Sequence, residues 1–185
     1  MKIDGFEIEG PKLVTLNPIV DSRGYFMRTF DVNTFQQLDG SLDHWVQENQ
    51  SFTKNKGTLR GLHFQRPPYA EKKLVRVLKG AVQDVIVDVR KGSPTYGRYL
   101  SIVLAGDNPQ VLFVPEGFAH GFLTLSDDVL MSYKVSAPYE PSAEVGINCS
   151  DSELNIDWKV INPILSDKDR VLPLLADIEP VEVMK

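Results

Sequence analysis

The sequence predicts an all-β protein, an antiparallel sandwich or barrel with a few short peripheral helices. Apolar and polar residues alternate through the middle of the chain, the alternating runs are short and evenly spaced, and turn-forming residues separate them. In chain order, the first element is a helix. Asp31 can cap Val32–Leu38, and Gly40 lies just beyond its end. Lys73–Leu78 is rich in β-formers and breaks at Lys79-Gly80. Val82–Arg90 then places valines on alternate positions with polar or charged residues between most of them, the period of a strand. After the turn Gly92-Ser93-Pro94, strands are expected at Tyr99–Leu104, Val111–Val114, Gly121–Ser126 and Val129–Val135. Their connectors, at 105–109, 115–117 and 127–128, are rich in turn residues. A short helical turn opens at Ser166, where Asp167 and Asp169 suit a helix N-terminus.

At 185 residues the chain is predicted to form a single domain, with no internal repeat or linker dividing it. Hydrophobic residues make up 42% and charged residues 24%, the balance of a water-soluble protein. No apolar run is long enough to span a bilayer, and Met1-Lys2-Ile3-Asp4-Gly5 lacks the apolar core of a signal sequence. A lone cysteine, Cys149, cannot form an internal disulfide. These features predict a cytoplasmic protein with no membrane partner. A net charge of −5 argues against a general nucleic-acid binder but leaves room for a local basic cluster around a small phosphorylated ligand.

The sequence holds three histidines. His44 lies in a polar stretch and reads as surface, whereas His63 and His120 sit in glycine-framed segments, Arg60–Gln65 and Pro115–Gly121. If Gly61–Gln65 is extended, Arg60, Leu62 and Phe64 share one face, and Gly61, His63 and Gln65 the other. The His63 face then carries a polar pair suited to a wet cavity. Pro115-x-Gly117-x-x-His120 is similar to the second half of the cupin signature, in which the histidine binds metal. The first half needs His-x-His, and the chain offers His63-Phe64-Gln65; an amide is a poor substitute for imidazole on a transition metal, so no metal is expected. Acid–base chemistry is the stronger reading. Imidazole is the natural proton acceptor near neutrality, and a carboxylate on its far nitrogen would fix the tautomer. Asp167 and Asp169 are candidates for that carboxylate, in a charged run that could equally be a solvated turn. Tyr133 could donate a proton or simply pack as an amphipathic core residue. Arg60, Arg66, Lys72 and Lys73 could form a solvated face or, turned inward, hold a diphosphate.

From about Asp21 to about Asp169 the chain resembles the dTDP-4-dehydrorhamnose 3,5-epimerase family, cupin-like jelly rolls of deoxysugar synthesis. The segments that carry the resemblance are Asp21–Phe26, Gln47–Ser51, Leu59–Gln65, Lys73–Val77, Gly80–Arg90, Ser93–Gly97, Pro115–Phe122, Tyr133-Lys134, Tyr139–Pro141 and Leu165–Asp169. The resemblance implies that His63 is the catalytic base, Asp169 its dyad partner, Tyr133 the proton donor on the opposite face of the sugar, and Lys73 the cation near the C4 oxygen. It implies that Gln47, Asn49, Arg60, His120, Glu144 and Lys168 contact the sugar and diphosphate. Arg23, Phe26 and Arg28 would lie around the nucleotide, with Tyr139 stacked on its base. It further implies a homodimer with exchanged N-terminal strands, drawn from residues about 1–50, so that Arg23 serves the neighbour's site. The implied substrate is a nucleotide sugar, with no cofactor.

Two departures stand out. Family members commonly carry an acid where this chain has Arg28, and an arginine cannot accept the hydrogen bond that a thymine imide offers. The base is therefore open between thymine and another, such as cytosine. Gly146–Asp151 also departs from the usual Arg-Trp-Asn pattern and reads as packing near a sheet edge. The alternatives are an epimerase acting at C3 or C5 only, a non-catalytic sugar-nucleotide-binding cupin, and a metal-dependent cupin.

Overall fold

Among residues 1–40 and 44–183, which the computed structural model describes, thirteen strands form a two-sheet jelly roll and a separate hairpin. In chain order they are β1 (Lys2–Gly5), β2 (Lys12–Thr15), β3 (Ile19–Asp21), β4 (Gly24–Phe26), β5 (Gln47–Thr53), β6 (Leu59–Gln65) and β7 (Lys73–Lys79). There follow β8 (Ala81–Asp88), β9 (Tyr99–Ala105), β10 (Gln110–Val114), β11 (Phe118–Thr124), β12 (Val129–Val135) and β13 (Glu144–Gly146). One sheet runs β1-β2-β10-β7-β12-β5 and the other β13-β6-β11-β8-β9, while β3 and β4 pair only with each other. Every ladder is antiparallel.

The sheets meet over a core in which Val75, Val77, Leu112, Val114 and Met131 of the first pack with Val82, Ile86, Phe118 and Phe122 of the second. The outer faces are covered as well. Beyond the second sheet, Leu62, Phe64, Val85 and Val87 pack under Leu154, Leu175 and Val181 of the C-terminal segment. This explains why seven of the eight residues of β8 are buried, Gln83, Asp84 and Asp88 included. Gln83 faces this second buried layer with Val85 and Val87, whereas Asp84 and Asp88 share the inner face with Val82 and Ile86. Gln83 spends its amide on the Asp157 carbonyl and the Lys159 N–H.

The expected helix is split. Val32–Phe35 is α-helical (α1), capped by Asp31, whose carboxylate accepts the Thr34 N–H, and Gln36–Leu38 tightens into a 3-10 turn before Gly40. Phe35 and Leu38 cover Val14, Leu74 and Phe113 on the outer face of the first sheet. The predicted cap at Ser166 is present and opens α2 (Asp167–Arg170), its hydroxyl accepting the Asp169 N–H at 3.1 Å. β8 ends two residues earlier than expected because the Asp88 carboxylate turns the chain, binding Arg90, Ser93 and Thr95. The divergent stretch after β13 is packing, as expected: Ile147 and Cys149 are buried, and Trp158 donates to the Cys149 carbonyl.

One expectation about β6 fails. His63 pairs with His120 and Arg60 with Phe122, so Gly61 and Leu62 together oppose Gly121. This bulge breaks the two-residue alternation. Leu62 and Phe64 enter the outer layer, while Arg60 and His63, three apart, line one cavity. The bulge requires glycine: Gly61 has φ +117°, and a Cβ there would lie 2.6 Å from the Gly121 Cα.

Candidate active site

A cavity of about 540 Å³ opens between the sheets. The first sheet contributes Ser51, Lys73, Val75, Met131 and Tyr133; the second contributes Arg60, His63, His120 and Phe122; Ile164–Asp169 closes one side. That closing segment is tied down by hydrogen bonds from the Leu59 N–H to the Ile164 carbonyl and from the Ile164 N–H to the Gly57 carbonyl. It carries Asp169 to His63, where Oδ1 lies 2.7 Å from Nε2. Asp169 is only 5% exposed in its side chain, against 28% for His63, so the imidazole faces the cavity with a buried carboxylate behind it. With the carboxylate accepting, Nε2 carries the proton and Nδ1 keeps a free lone pair. Burial pushes the His63 imidazole below its ordinary value, outweighing the opposing pull of Asp169 and Glu144. It therefore stands neutral at pH 7 as a proton acceptor.

Directly across the ladder from His63, His120 has its own buried carboxylate, Asp84, with oxygens 2.9 and 3.0 Å from Nε2. Lys73 lies 3.1 Å from Glu71, both side chains 12% exposed. Burial, then the nearby charge of Glu71, pushes the Tyr133 phenol upward against the opposing Arg60, which keeps it protonated. Arg60 is held by Thr53 Oγ1, which accepts from its Nε at 3.2 Å. A base, a hydroxyl donor and a cation thus share one enclosure.

A second cavity of about 300 Å³ shares His63, Lys73 and Tyr133 with the first and extends past Gln47, Asn49, Tyr139 and Glu144. Gln47 donates to Asn49 at 2.8 Å. The Tyr139 hydroxyl and the Lys168 ammonium both donate to Glu144 Oε2 at 2.6 Å. Burial alone would raise the Glu144 carboxyl, but these two donors hold it below the usual range. Gln65 lines the smaller cavity beside His63, as expected, but is only 3% exposed, with both amide atoms spent on backbone groups of Tyr69, Pro138 and Glu140. It fixes the loop that presents Tyr139.

Eleven of the fourteen residues to which the resemblance gives a role line these two cavities: Gln47, Asn49, Arg60, His63, Lys73, His120, Tyr133, Tyr139, Glu144, Lys168 and Asp169. Arg23, Phe26 and Arg28 do not. Arg23 sits in the β3–β4 turn paired with Asp21 at 2.6 Å, Phe26 is 67% exposed on β4, and Arg28 points to Asp31 at 3.7 Å. The hairpin that carries Arg23 and Phe26 pairs with neither main sheet, and Arg28 follows it in the chain. His44 is exposed, as expected.

Three lining or supporting groups escaped the sequence reading. Asp84 looks like one more polar residue alternating with valine, and only the β8–β11 register puts it under His120. Glu71 is a charge in a charged run until β7 turns Lys73 inward. Ser51, in the cavity wall, has a buried hydroxyl with no hydrogen-bond partner among the described residues. Among the described residues, no three His, Cys, Asp or Glu side chains converge as metal ligands would, and no helix is long and apolar enough to cross a membrane.

The family model of dTDP-4-dehydrorhamnose 3,5-epimerase matches residues 5–177. A Shigella flexneri protein named dTDP-4-dehydrorhamnose 3,5-epimerase is 47% identical over 163 residues, covering 87% of this chain and 90% of its own. A solved structure of the Bacillus anthracis dTDP-4-dehydrorhamnose 3,5-epimerase with TDP and PPi bound is 43% identical. It superposes with a TM-score of 0.90 over 94% of this chain and 98% of that one. The Legionella pneumophila dTDP-6-deoxy-D-glucose-3,5-epimerase, solved in complex with dTDP-4-keto-L-rhamnose, is 37% identical, with a TM-score of 0.93 over 100% and 99% of the two chains.

Proposed function

The chain belongs to the dTDP-4-dehydrorhamnose 3,5-epimerase family, and on that premise we propose that it is an isomerase converting dTDP-4-dehydro-6-deoxy-D-glucose to dTDP-4-dehydro-L-rhamnose. The observation that carries the reading is the His63–Asp169 dyad facing Lys73 and Tyr133 within one cavity.

A C–H next to a ketone can be removed only if the charge arriving on the carbonyl oxygen is stabilised as it forms. Lys73 supplies that cation at C4. His63 takes the proton from one face, and Asp169 stabilises the resulting imidazolium. Tyr133 then delivers a proton to the other face of the same carbon, which inverts it. Acid–base groups of this kind contribute about 10²–10⁴-fold each. C3 and C5 both flank C4, so one base and one donor serve both once the sugar is anchored. Arg60, Lys168, Gln47, Asn49, His120 and Glu144 anchor the sugar and diphosphate, and Tyr139, 54% exposed beside the smaller cavity, stacks on the base. Inversion beside an existing ketone changes no oxidation state, so the reaction calls for no redox cofactor.

Arg23, Phe26 and Arg28 belong, in this reading, to the partner's site in a homodimer. The hairpin that carries Arg23 and Phe26 and leads to Arg28 exposes Ile19, Val20, Tyr25 and Phe26 at 66–74% of their surface, more apolar area than a free hairpin normally leaves in water. A single domain covers the chain, and the buried, unpaired Cys149 fits a reducing cytoplasm.

The test is incubation with dTDP-4-keto-6-deoxyglucose in deuterated water, read by mass and proton NMR. Deuterium at both C3 and C5 is expected and would show that Arg28 tolerates thymine. Label at one carbon would select a single-site epimerase, and no label would reject the thymidine substrate.

A further inference from the structure

Among the described residues, four carboxylates serve the two cavities, directly or through a histidine, and three have a dedicated task. Asp169 backs His63, Asp84 backs His120, and Glu144 receives Tyr139 and Lys168. The fourth, Glu71, has no part in the mechanism above. It stands at the entry to β7, 3.1 Å from the Lys73 ammonium, and lines the smaller cavity with Lys73 and Tyr133. Both members of the pair are nearly out of water, at 12% exposure. An ion pair that buried holds its geometry far better than an exposed one, which salt and side-chain entropy loosen.

We propose that Glu71 is a positioning residue for the epimerisation described above, holding the Lys73 ammonium against the cavity wall and setting a negative charge beside the Tyr133 donor. The inference rests on the epimerase reading and extends it. Lys73 has a flexible four-carbon stem and three donors, so a fixed partner decides where its charge points. One N–H directed at Glu71 leaves the others for the developing C4 oxyanion, already in place when it forms. The effect on Tyr133 is electrostatic. Its phenol faces Arg60 and His63 of β6, His120 of β11, Lys73 of β7 and Glu144 of β13, with Asp169, Lys168 and Tyr139 closing the same cavities. Of these neighbours, Glu71 is the anion that acts on the phenol, second only to burial, with Arg60 opposing. Each inversion leaves Tyr133 as a phenolate. Beside a carboxylate the phenolate is disfavoured, so Tyr133 takes a proton back from solvent while the His63 imidazolium releases one to it, and both groups stand ready for the second carbon.

Glu71→Gln keeps the shape and an oxygen for Lys73 but removes the charge. The ionisation of Tyr133 is read in the tyrosinate absorbance, as the difference between each protein and its Tyr133→Phe counterpart. It is expected to move to lower pH in Glu71→Gln and to return toward wild type in Glu71→Asp. With substrate, kcat should fall by about ten-fold with KM changed less, the mark of an interaction made in the transition state. An unmoved Tyr133 ionisation in a folded Glu71→Gln protein overturns the proposal. Loss of fold in both variants overturns it equally, by making Glu71 a scaffold residue. The titration needs no turnover: if the wild-type protein exchanged no deuterium, the epimerase reading would fall while the effect of Glu71 on Tyr133 was still decided.

Discussion

At the scale of the residue, His63 has two influences set against each other: burial favours the neutral ring and Asp169 favours the charged one, with burial the larger. The sign gives a prediction. A base whose value lies below the usual 6.5 is free above that value and occupied below it. kcat/KM should therefore be flat near neutrality and fall only as pH drops through the lowered value. Asp169→Asn removes the influence that favours protonation, so the acid limb should move to still lower pH. The plateau should fall by about 10²-fold or more, because the imidazolium formed during abstraction loses its support. A pH–rate profile of both proteins checks this, and a limb that stays put or moves upward would contradict the dyad. The sequence exposed much at this scale. His63 stands out by its own glycine-framed neighbours, whereas Lys73 and Tyr133, which alone read equally as a solvated cation and a core tyrosine, are singled out only by the family resemblance. Asp169 and Asp84 were unequal cases, since the first sits in a run that resembles family members and the second is visible only once β8 is paired with β11.

At the scale of the element, β7, β9, β10 and β12, each a β-former run bounded by turn residues, stand within one or two residues of their expected bounds. β1 to β4 are only three or four residues long, too short for a period to declare itself. β6 misled in a different way, because alternation assumes one residue per pleat and the bulge spends two. Its glycine is the point to test. Gly61→Ala sets a Cβ on a backbone with φ +117° and drives it into the Gly121 backbone, where nothing can swing aside. A loss of roughly 2–4 kcal/mol of stability is expected, combining backbone strain with overpacking. Urea denaturation would measure it, and a change under about 0.5 kcal/mol would mean that the strand absorbs the methyl by shifting. His63 should lose its place with it, so activity should fall further than stability alone accounts for.

At the scale of the whole molecule, two covered sheets enclose the site, and the hairpin reaches out of that enclosure. If it completes the site of a second copy, a charge on its apolar face should cost assembly and activity together. Phe26→Asp is expected to sediment as one 20.8 kDa chain where the unaltered protein sediments as two. Substrate KM should rise while the circular dichroism of the sandwich is kept. A dimeric, fully active Phe26→Asp protein would contradict the exchange. This feature was legible only through resemblance to a family, because an exposed hairpin does not say what it covers. The bulge in β6 also bears on how the chain can change over generations. Substitutions along that strand alter one side chain each, whereas removing Gly61 would restore even pleating with Arg60 and His63 two residues apart, still on one face of the sheet and opposite the same partners. Loss of the Gly61 codon should therefore be better tolerated than replacement of that glycine by any larger residue, and a deep scan of single-codon losses and substitutions would show the two in that order.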